Sequence, residues 1–190
     1  MKADGNFPLA PDLWDDFEQL FGPRGACAGC WCLYWKLPRK DFTAGQGDRN
    51  RLTQKQFVAS GRTPGLLAFV DGLPVGWVAV EPRENYPVLG RSRILKPLDD
   101  LPVWSVTCFF VAKKYRSRGV TVDLLKSAID YVTGQGGTVL EGYPVEPGRP
   151  GKAPPVFVYT GLASAFKQAG FVEVARRSPT RPLMRYTIKK

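Results

Sequence analysis

The stretch Val103-Trp-Ser-Val-Thr-Cys-Phe-Phe-Val111, continuing through Ala112-Lys-Lys-Tyr-Arg-Ser-Arg-Gly-Val-Thr121 into Val122-Asp-Leu-Leu-Lys-Ser-Ala-Ile-Asp-Tyr-Val132, decides the reading of this chain. Trp104 to Val111 is an unbroken apolar and β-branched run, which predicts a strand buried on both faces. The cationic side chains of Lys113, Lys114, Arg116 and Arg118 then surround Gly119. Beyond them Val120, Leu124, Leu125, Ala128, Ile129 and Val132 recur at helical spacing. The pattern is strand, basic glycine turn, amphipathic helix. The first amides of a helix lack acceptors within it, and the helix dipole places partial positive charge at the same end. An anion fits there. Glycine lets a phosphate come close to the backbone, and Arg and Lys add charge-assisted hydrogen bonds. The turn points to a pyrophosphate guest; the plainer alternative is a strand-to-helix turn with solvated charges.

Within it, Arg116-Ser117-Arg118-Gly119-Val120-Thr121 resembles the pyrophosphate loop of the GNAT acyltransferases, Gln/Arg-x-x-Gly-x-Gly/Ala, with Val111 and Leu124-Leu125 in matching places. Thr121 departs from the closing glycine or alanine: its side chain crowds the phosphate or offers it a hydroxyl. The resemblance implies an α/β (α+β) fold with a mixed, mostly antiparallel central sheet, a parallel V-shaped strand pair and flanking helices. It also implies coenzyme A as the carried cofactor. Arg116, Ser117, Arg118, Gly119, Val120 and Thr121 would hold its pyrophosphate, and Phe109, Phe110 and Val111 would pair with its pantetheine arm. A backbone N–H near mid-strand would then stabilise the developing oxyanion of the thioester.

Two further signals follow the family's order. Gly65 to Val70 and Val75 to Val80 are β-rich runs around Asp71-Gly72, a hairpin signal that Pro74 extends. Tyr159 to Phe171 resembles the family's last helix, ending in Gly170-Phe171. In that alignment the tyrosine that often protonates the leaving thiolate becomes Phe166, which has no proton to give. The acid then falls to Tyr159, Tyr143, Ser164 or water, and Tyr159 is the choice. Glu81, at a strand end and acting through water, and Glu141, within its strand and pointing into the cleft or toward the opposite helix layer, rank level as general base. Thr138 to Tyr143 is expected to run parallel to the cofactor strand in a right-handed strand-helix-strand unit. Pro144 to Pro155 reads as a loop, and Phe171 to Ala175 with Leu183 to Ile188 as a closing hairpin.

The N-terminal third is less specific. Asp12 to Phe21 puts Leu13, Phe17, Leu20 and Phe21 on one helical face before Gly22-Pro23. Cys27, Cys30 and Cys32 follow among Trp31, Tyr34 and Trp35. A zinc site wants four ligands at paired spacings, so no metal is expected. The cysteines either pack as small hydrophobes, or the loop forms a wall of the acceptor site through Trp31, Cys32, Tyr34 and Trp35. Lys36 to Asn50 reads as a loop, Leu52 to Ser60 as a helix with Leu52 and Phe57 inward, and Asn85 to Leu101 as a long connection.

Length and composition set the frame. A chain of 190 residues predicts one domain over residues 1–190. The absence of an apolar run near the roughly 20 residues of a membrane span, and of a leader pattern, predicts a cytoplasmic protein with no membrane partner. The formal charge of +10 favours anions, yet no nucleic-acid motif accompanies it, so no nucleic-acid partner is expected. A homodimer is left open. The chain has no histidine, which removes Ser-His and Cys-His nucleophile pairs. Direct transfer from a thioester to an amine survives, because it needs orientation, a polarised carbonyl and a route for one proton. The expectation is an acetyl-CoA-dependent N-acetyltransferase acting on an amine of a small molecule or peptide. The alternative is a coenzyme A-binding protein of the same fold without catalysis.

Overall fold

The computed structural model describes residues 4–147 and 157–189. Its elements are β1 (Gly5–Pro8), α1 (Trp14–Phe21), α2 (Arg39–Ala44), α3 (Asp48–Ala59), β2 (Gly65–Val70), β3 (Leu73–Pro82), α4 (Pro87–Arg91), β4 (Trp104–Val111), α5 (Val120–Gly134), β5 (Val139–Gly142), α6 (Ala163–Gln168), β6 (Val172–Arg176) and β7 (Pro182–Thr187). Much of the loop expected over Pro144 to Pro155 lies outside the described residues. No helix among the described residues is long and apolar enough to cross a membrane.

The seven strands form one sheet in the order β1-β2-β3-β4-β5-β7-β6. Every pairing is antiparallel except β4 with β5, as expected. Asp71 and Gly72 join β2 to β3 with φ of 52° and 72°, the paired positive angles whose twist matches flanking strands. The turn is two residues long, because Val70 pairs with Leu73. Pro74 therefore does not extend it; it lies in β3 opposite Phe69, beside a bulge.

Alternation along β2 and β3 fills two apolar layers. Leu66, Ala68, Val78 and Val80 point to one side, where they meet Leu124, Leu125, Ala128 and Val132 of α5 and Phe166 of α6. Leu67, Phe69, Trp77 and Ala79 point to the other, against Trp14, Phe17, Leu20 and Phe21 of α1. Each large side chain removed from water here contributes about 1.5–3 kcal/mol of apolar burial, so the periodic faces of α1 and α5 fix both helices on the sheet.

β4 and β5 pair only at Trp104↔Leu140, Ser105↔Glu141 and Val106↔Gly142. Beyond Val106 the strands part, leaving the C-terminal half of β4 with an open edge toward β5. This V in the sheet positions the site.

Four points differ from the expectations. The segment 36–50 contains a helix, α2, and the connection 85–101 contains α4. Leu52 is half exposed, while α3 buries Asn50, Gln54 and Val58. Asn50 sits inward because it bonds backbone: its side-chain amide donates to the carbonyls of Gly29 and Phe42. Finally, β1 was not anticipated; four residues with one aromatic carry no clear period, and pairing with β2 makes them a strand.

Candidate active site

A cleft of about 1210 Å³ opens where β4 leaves β5. One end is the turn before α5, the floor is the open half of β4, and the far end is the Cys-rich loop with α2.

At the first end the backbone does the work. Ser117 and Gly119 take positive φ, 58° and 84°, and Gly119 is the N-cap of α5. The helical bonds begin with Val122 and Asp123, whose N–H groups donate to Gly119 O. The amides of Ser117 to Thr121 have no backbone acceptor among the described residues. Arg116 Nε donates to Val111 O at 2.9 Å, folding this cation across the end of β4. Phe109, Phe110, Val111, Arg116, Ser117, Gly119, Val120 and Thr121 all line the cleft. Arg118 does not; its guanidinium lies over the Tyr115 ring, so the charge next to the turn is chiefly that of Arg116.

Along the floor, Phe109 N–H faces the gap and donates to Tyr159 O at 2.6 Å. Alternation puts Val111 on the same edge, with its carbonyl already taken by Arg116. Phe166, at the family's acid position, is fully buried and packs edge-on against Phe109 and Phe171. A Cβ on Gly142 would fall 2.1 Å from that ring; glycine at β5 is what lets Phe166 fill the core below the V.

At the far end, Gly25, Ala26, Ala28, Gly29, Trp31 and Cys32 all have positive φ. For a non-glycine residue that conformation costs on the order of 1–3 kcal/mol unless its surroundings impose it. Trp31 imposes it. Its indole stacks on Phe21 and Trp14, with centroids 5.6 Å and 6.4 Å away, and Gly25 is so close that a Cβ would sit 2.4 Å from Trp31 Nε1. Trp31 is thus a buried anchor and does not line the cleft, a correction to its reading as wall. Cys32, Tyr34 and Trp35 do line it, with Cys27, Cys30 and Cys108. Cys32 Sγ lies 3.2 Å from both Cys108 Sγ and Trp77 Nε1. The bond from Cys32, then burial, pushes the Cys108 thiol up, and burial pushes Cys30 up to about 11. These two stay protonated at neutral pH and are poor nucleophiles. Among the described residues no His, Cys, Asp and Glu group is placed to hold a metal ion.

The two carboxylates expected at the cleft are elsewhere. Glu81 is buried, paired with Lys36 and with Arg62 at 2.6 Å, and accepts from Asn85. Glu141 is fully buried between Arg83 at 2.7 Å and Arg185 at 2.8 Å, and accepts from Tyr143 Oη. Neither lines the cleft. Their strands were readable, but not the cations that four other segments bring to them. A buried carboxylate with such partners is a structural charge, because removing it strands the cations in low dielectric. Tyr159 does line the cleft. Burial raises its phenol, so it keeps its proton and is suited to give one rather than take one.

The sequence reading missed Arg39, Phe42 and Gln46 of the cleft wall. They fall in the segment read as loop, where Phe42 was the one apolar signal of a packed helix. Ser164 and Gln168 of α6 also reach the cleft.

The V-shaped sheet, the glycine-capped basic turn and the cleft between them define the protein's class. Residues 30–145 match the acetyltransferase (GNAT) family, and the chain belongs to it. No curated protein sequence matches the chain. Solved structures are similar in fold at low identity. The chain is similar to an acetyltransferase of the GNAT family from Listeria monocytogenes, with TM-score 0.57, 9% identity and coverage of 98% of this chain and 99% of that one. Similarity extends to the PaiA N-acetyltransferase of Thermoplasma acidophilum, solved in complex with coenzyme A, at TM-score 0.54, 11% identity and coverage of 98% and 100%. It extends also to AAC(6')-Ib, solved with ribostamycin and coenzyme A, at TM-score 0.53, 15% identity and coverage of 98% and 94%.

Proposed function

We propose that this protein is an acetyl-CoA-dependent N-acetyltransferase that moves the acetyl group directly from the thioester to an amine. One observation carries the reading: the amides of Ser117 to Thr121, which have no backbone acceptor among the described residues, and the end of β4 that β5 does not cover open into a single cleft. A diphosphate suits the first, because its charge meets N–H donors, the dipole of α5 and Arg116. An amide-bearing arm suits the second, because it completes a strand edge. At about 1210 Å³ the cleft exceeds the roughly 300–1,000 Å³ of an ordinary small-ligand pocket, which leaves room for an acceptor beside the carrier.

In this reading Arg116, Ser117, Gly119, Val120 and Thr121 hold the diphosphate, and Phe109 to Val111 align the arm. The acceptor nitrogen bonds to the acetyl carbonyl carbon as the carbon–sulfur bond breaks. The Val111 N–H faces the carbonyl oxygen as it gains charge. Tyr159 gives its phenolic proton to the departing thiolate and recovers one from solvent, which also takes the proton lost by the amine. Tyr34, Trp35 and Cys32 bound the acceptor. GNAT relatives with coenzyme A and, in one case, an aminoglycoside bound support the direction of this reading. Cytoplasmic location belongs with it: no membrane-crossing helix among the described residues and free thiols at all four cysteines suit a reducing compartment.

The alternative, a coenzyme A-binding protein without catalysis, is favoured by one observation. Phe166, where the resemblance expects the family's proton-giving tyrosine, is a fully buried ring with no proton to give. Incubation with acetyl-CoA and a panel of amines, following thiol release, separates the two. Amine-dependent release that falls about 10²-fold or more in Tyr159→Phe supports the transferase. Coenzyme A binding with no release for any amine supports the alternative.

A further inference from the structure

The far end of the cleft has a chemistry of its own. Tyr34 is its hub: Trp35, Phe42 and Tyr159 meet it edge-on, with ring centroids 4.9 Å, 5.4 Å and 6.3 Å away. Tyr159 also ties this cluster to β4 through the bond between its carbonyl and Phe109 N–H. Arg39 sits above the hub. Its guanidinium carbon is 5.6 Å from the Tyr34 ring centroid, and Nη1 donates to Tyr34 Oη at 3.3 Å. No carboxylate among the described residues pairs with Arg39, and Arg39 lines the cleft.

All 17 carboxylate side chains belong to described residues, and none lines the cleft. An ammonium group meets no counter-ion there, and the formal charge of +10 works against any polycation. An aromatic ring meets four edges and faces suited to it. A carboxylate meets a guanidinium held beside the Tyr34 ring by its hydroxyl, a planar fork able to pair with it bidentately. The cleft also offers no evident base: Glu81 and Glu141 are buried in ion pairs. An amine already neutral at pH 7 needs none. Aromatic amines meet that condition because conjugation of the nitrogen lone pair into the ring weakens their basicity.

Resting on the acetyltransferase reading, we propose that the acceptor is an aromatic amine bearing a carboxylate, its ring set among Tyr34, Trp35, Phe42 and Tyr159 and its carboxylate on Arg39. Arg39 is then the specificity-determining residue, and it discriminates acidic aromatic amines from both neutral aromatic amines and polyamines.

The test supplies acetyl-CoA with 4-aminobenzoate, 4-aminobenzamide, lysine or spermidine and follows thiol release. The expected order is 4-aminobenzoate first, with kcat/KM about 10- to 100-fold above 4-aminobenzamide, the span of a hydrogen bond to a charged group. In Arg39→Gln that ratio collapses toward one, mainly through KM for 4-aminobenzoate, and Arg39→Lys restores part of it. Preference for spermidine or lysine overturns the proposal while leaving the transferase reading intact. So does an Arg39→Gln variant that slows both aromatic amines equally, which marks a structural role. If no amine releases thiol, the transferase reading fails by itself, and calorimetric titration of 4-aminobenzoate into coenzyme A-loaded protein decides the site. Arg39-dependent binding upholds it, and no binding overturns it.

Discussion

The two ends of the cleft are both turns with positive φ, yet they are held in opposite ways. The turn before α5 needs only two such residues, Ser117 and Gly119. Its conformation follows from a strand that ends, a glycine at the N-cap and a helix that begins, all within a dozen residues. The Cys-rich loop has six, four of them non-glycine; local bonds such as Gly29 N–H to Arg24 O and Cys30 N–H to Cys27 O close its turns, but contacts from outside it set its place. Trp31 in the α1 core, Asn50 of α3 on the Gly29 carbonyl, and Gly47 N–H on the same carbonyl hold it from a distance. The turn before α5, the carrier turn of the proposed function, is therefore self-supporting, and the Cys-rich end, its proposed acceptor side, is only as firm as the core behind it.

The strongest attempt to break that contrast is Trp31→Ala. Removing a buried indole costs about 3–5 kcal/mol, read as a lower midpoint in denaturant, and releases the loop's strain into disorder. Acceptor KM should rise sharply while coenzyme A affinity, measured on the folded fraction, stays near that of the parent. Equal loss at both sites would show that the two ends are one unit and end the comparison.

Next in size is Gly119→Val. A β-branched residue at φ of 84° is strained, at about 1–3 kcal/mol, and its methyls crowd the approach of an anion to the amides. Coenzyme A affinity should fall about 100-fold, equivalent to about 2.7 kcal/mol, with acceptor-site geometry preserved. Unchanged affinity in a calorimetric titration would remove the phosphate from this turn.

The same contrast explains what could be read from the sequence. The carrier turn was legible because its signals are local and ordered: a continuous apolar strand, glycine among cations, and a 3.6-residue period in α5. The hairpin at Asp71-Gly72 was legible for the same reason. Trp31 was not, because a tryptophan between two cysteines looks the same whether it faces a ligand or Phe21. Glu81 and Glu141 fall in β3 and β5 as read, but their cations come from Lys36, Arg62, Arg83 and Arg185, and only the folded sheet brings these together. Arg39 carried no signal at all beyond charge, since α2 has too little apolar period to announce a helix. Sites built by one segment are written in that segment, whereas sites built by convergence are written in the topology.

The smallest effect sharpens the comparison without any substitution. Cys27 is exposed, whereas Cys30 is partly buried and donates to Gly25 O at 3.4 Å. Burial lifts the Cys30 thiol from an ordinary 9.0 to about 11. Because the thiolate is the reactive form, alkylation should mark Cys27 first at pH 8, with Cys30 following only as pH climbs toward 11. The sign for stability is opposite to that of a paired carboxylate. Between about 9 and about 11 the unfolded chain has lost this proton while the folded chain still holds it, so stability falls as pH rises through that window. Peptide mapping after timed iodoacetamide treatment reads the order directly. If Cys30 reacts as fast as Cys27 at pH 8, the loop opens on its own, and the distant anchors that set it apart from the carrier turn do not hold it.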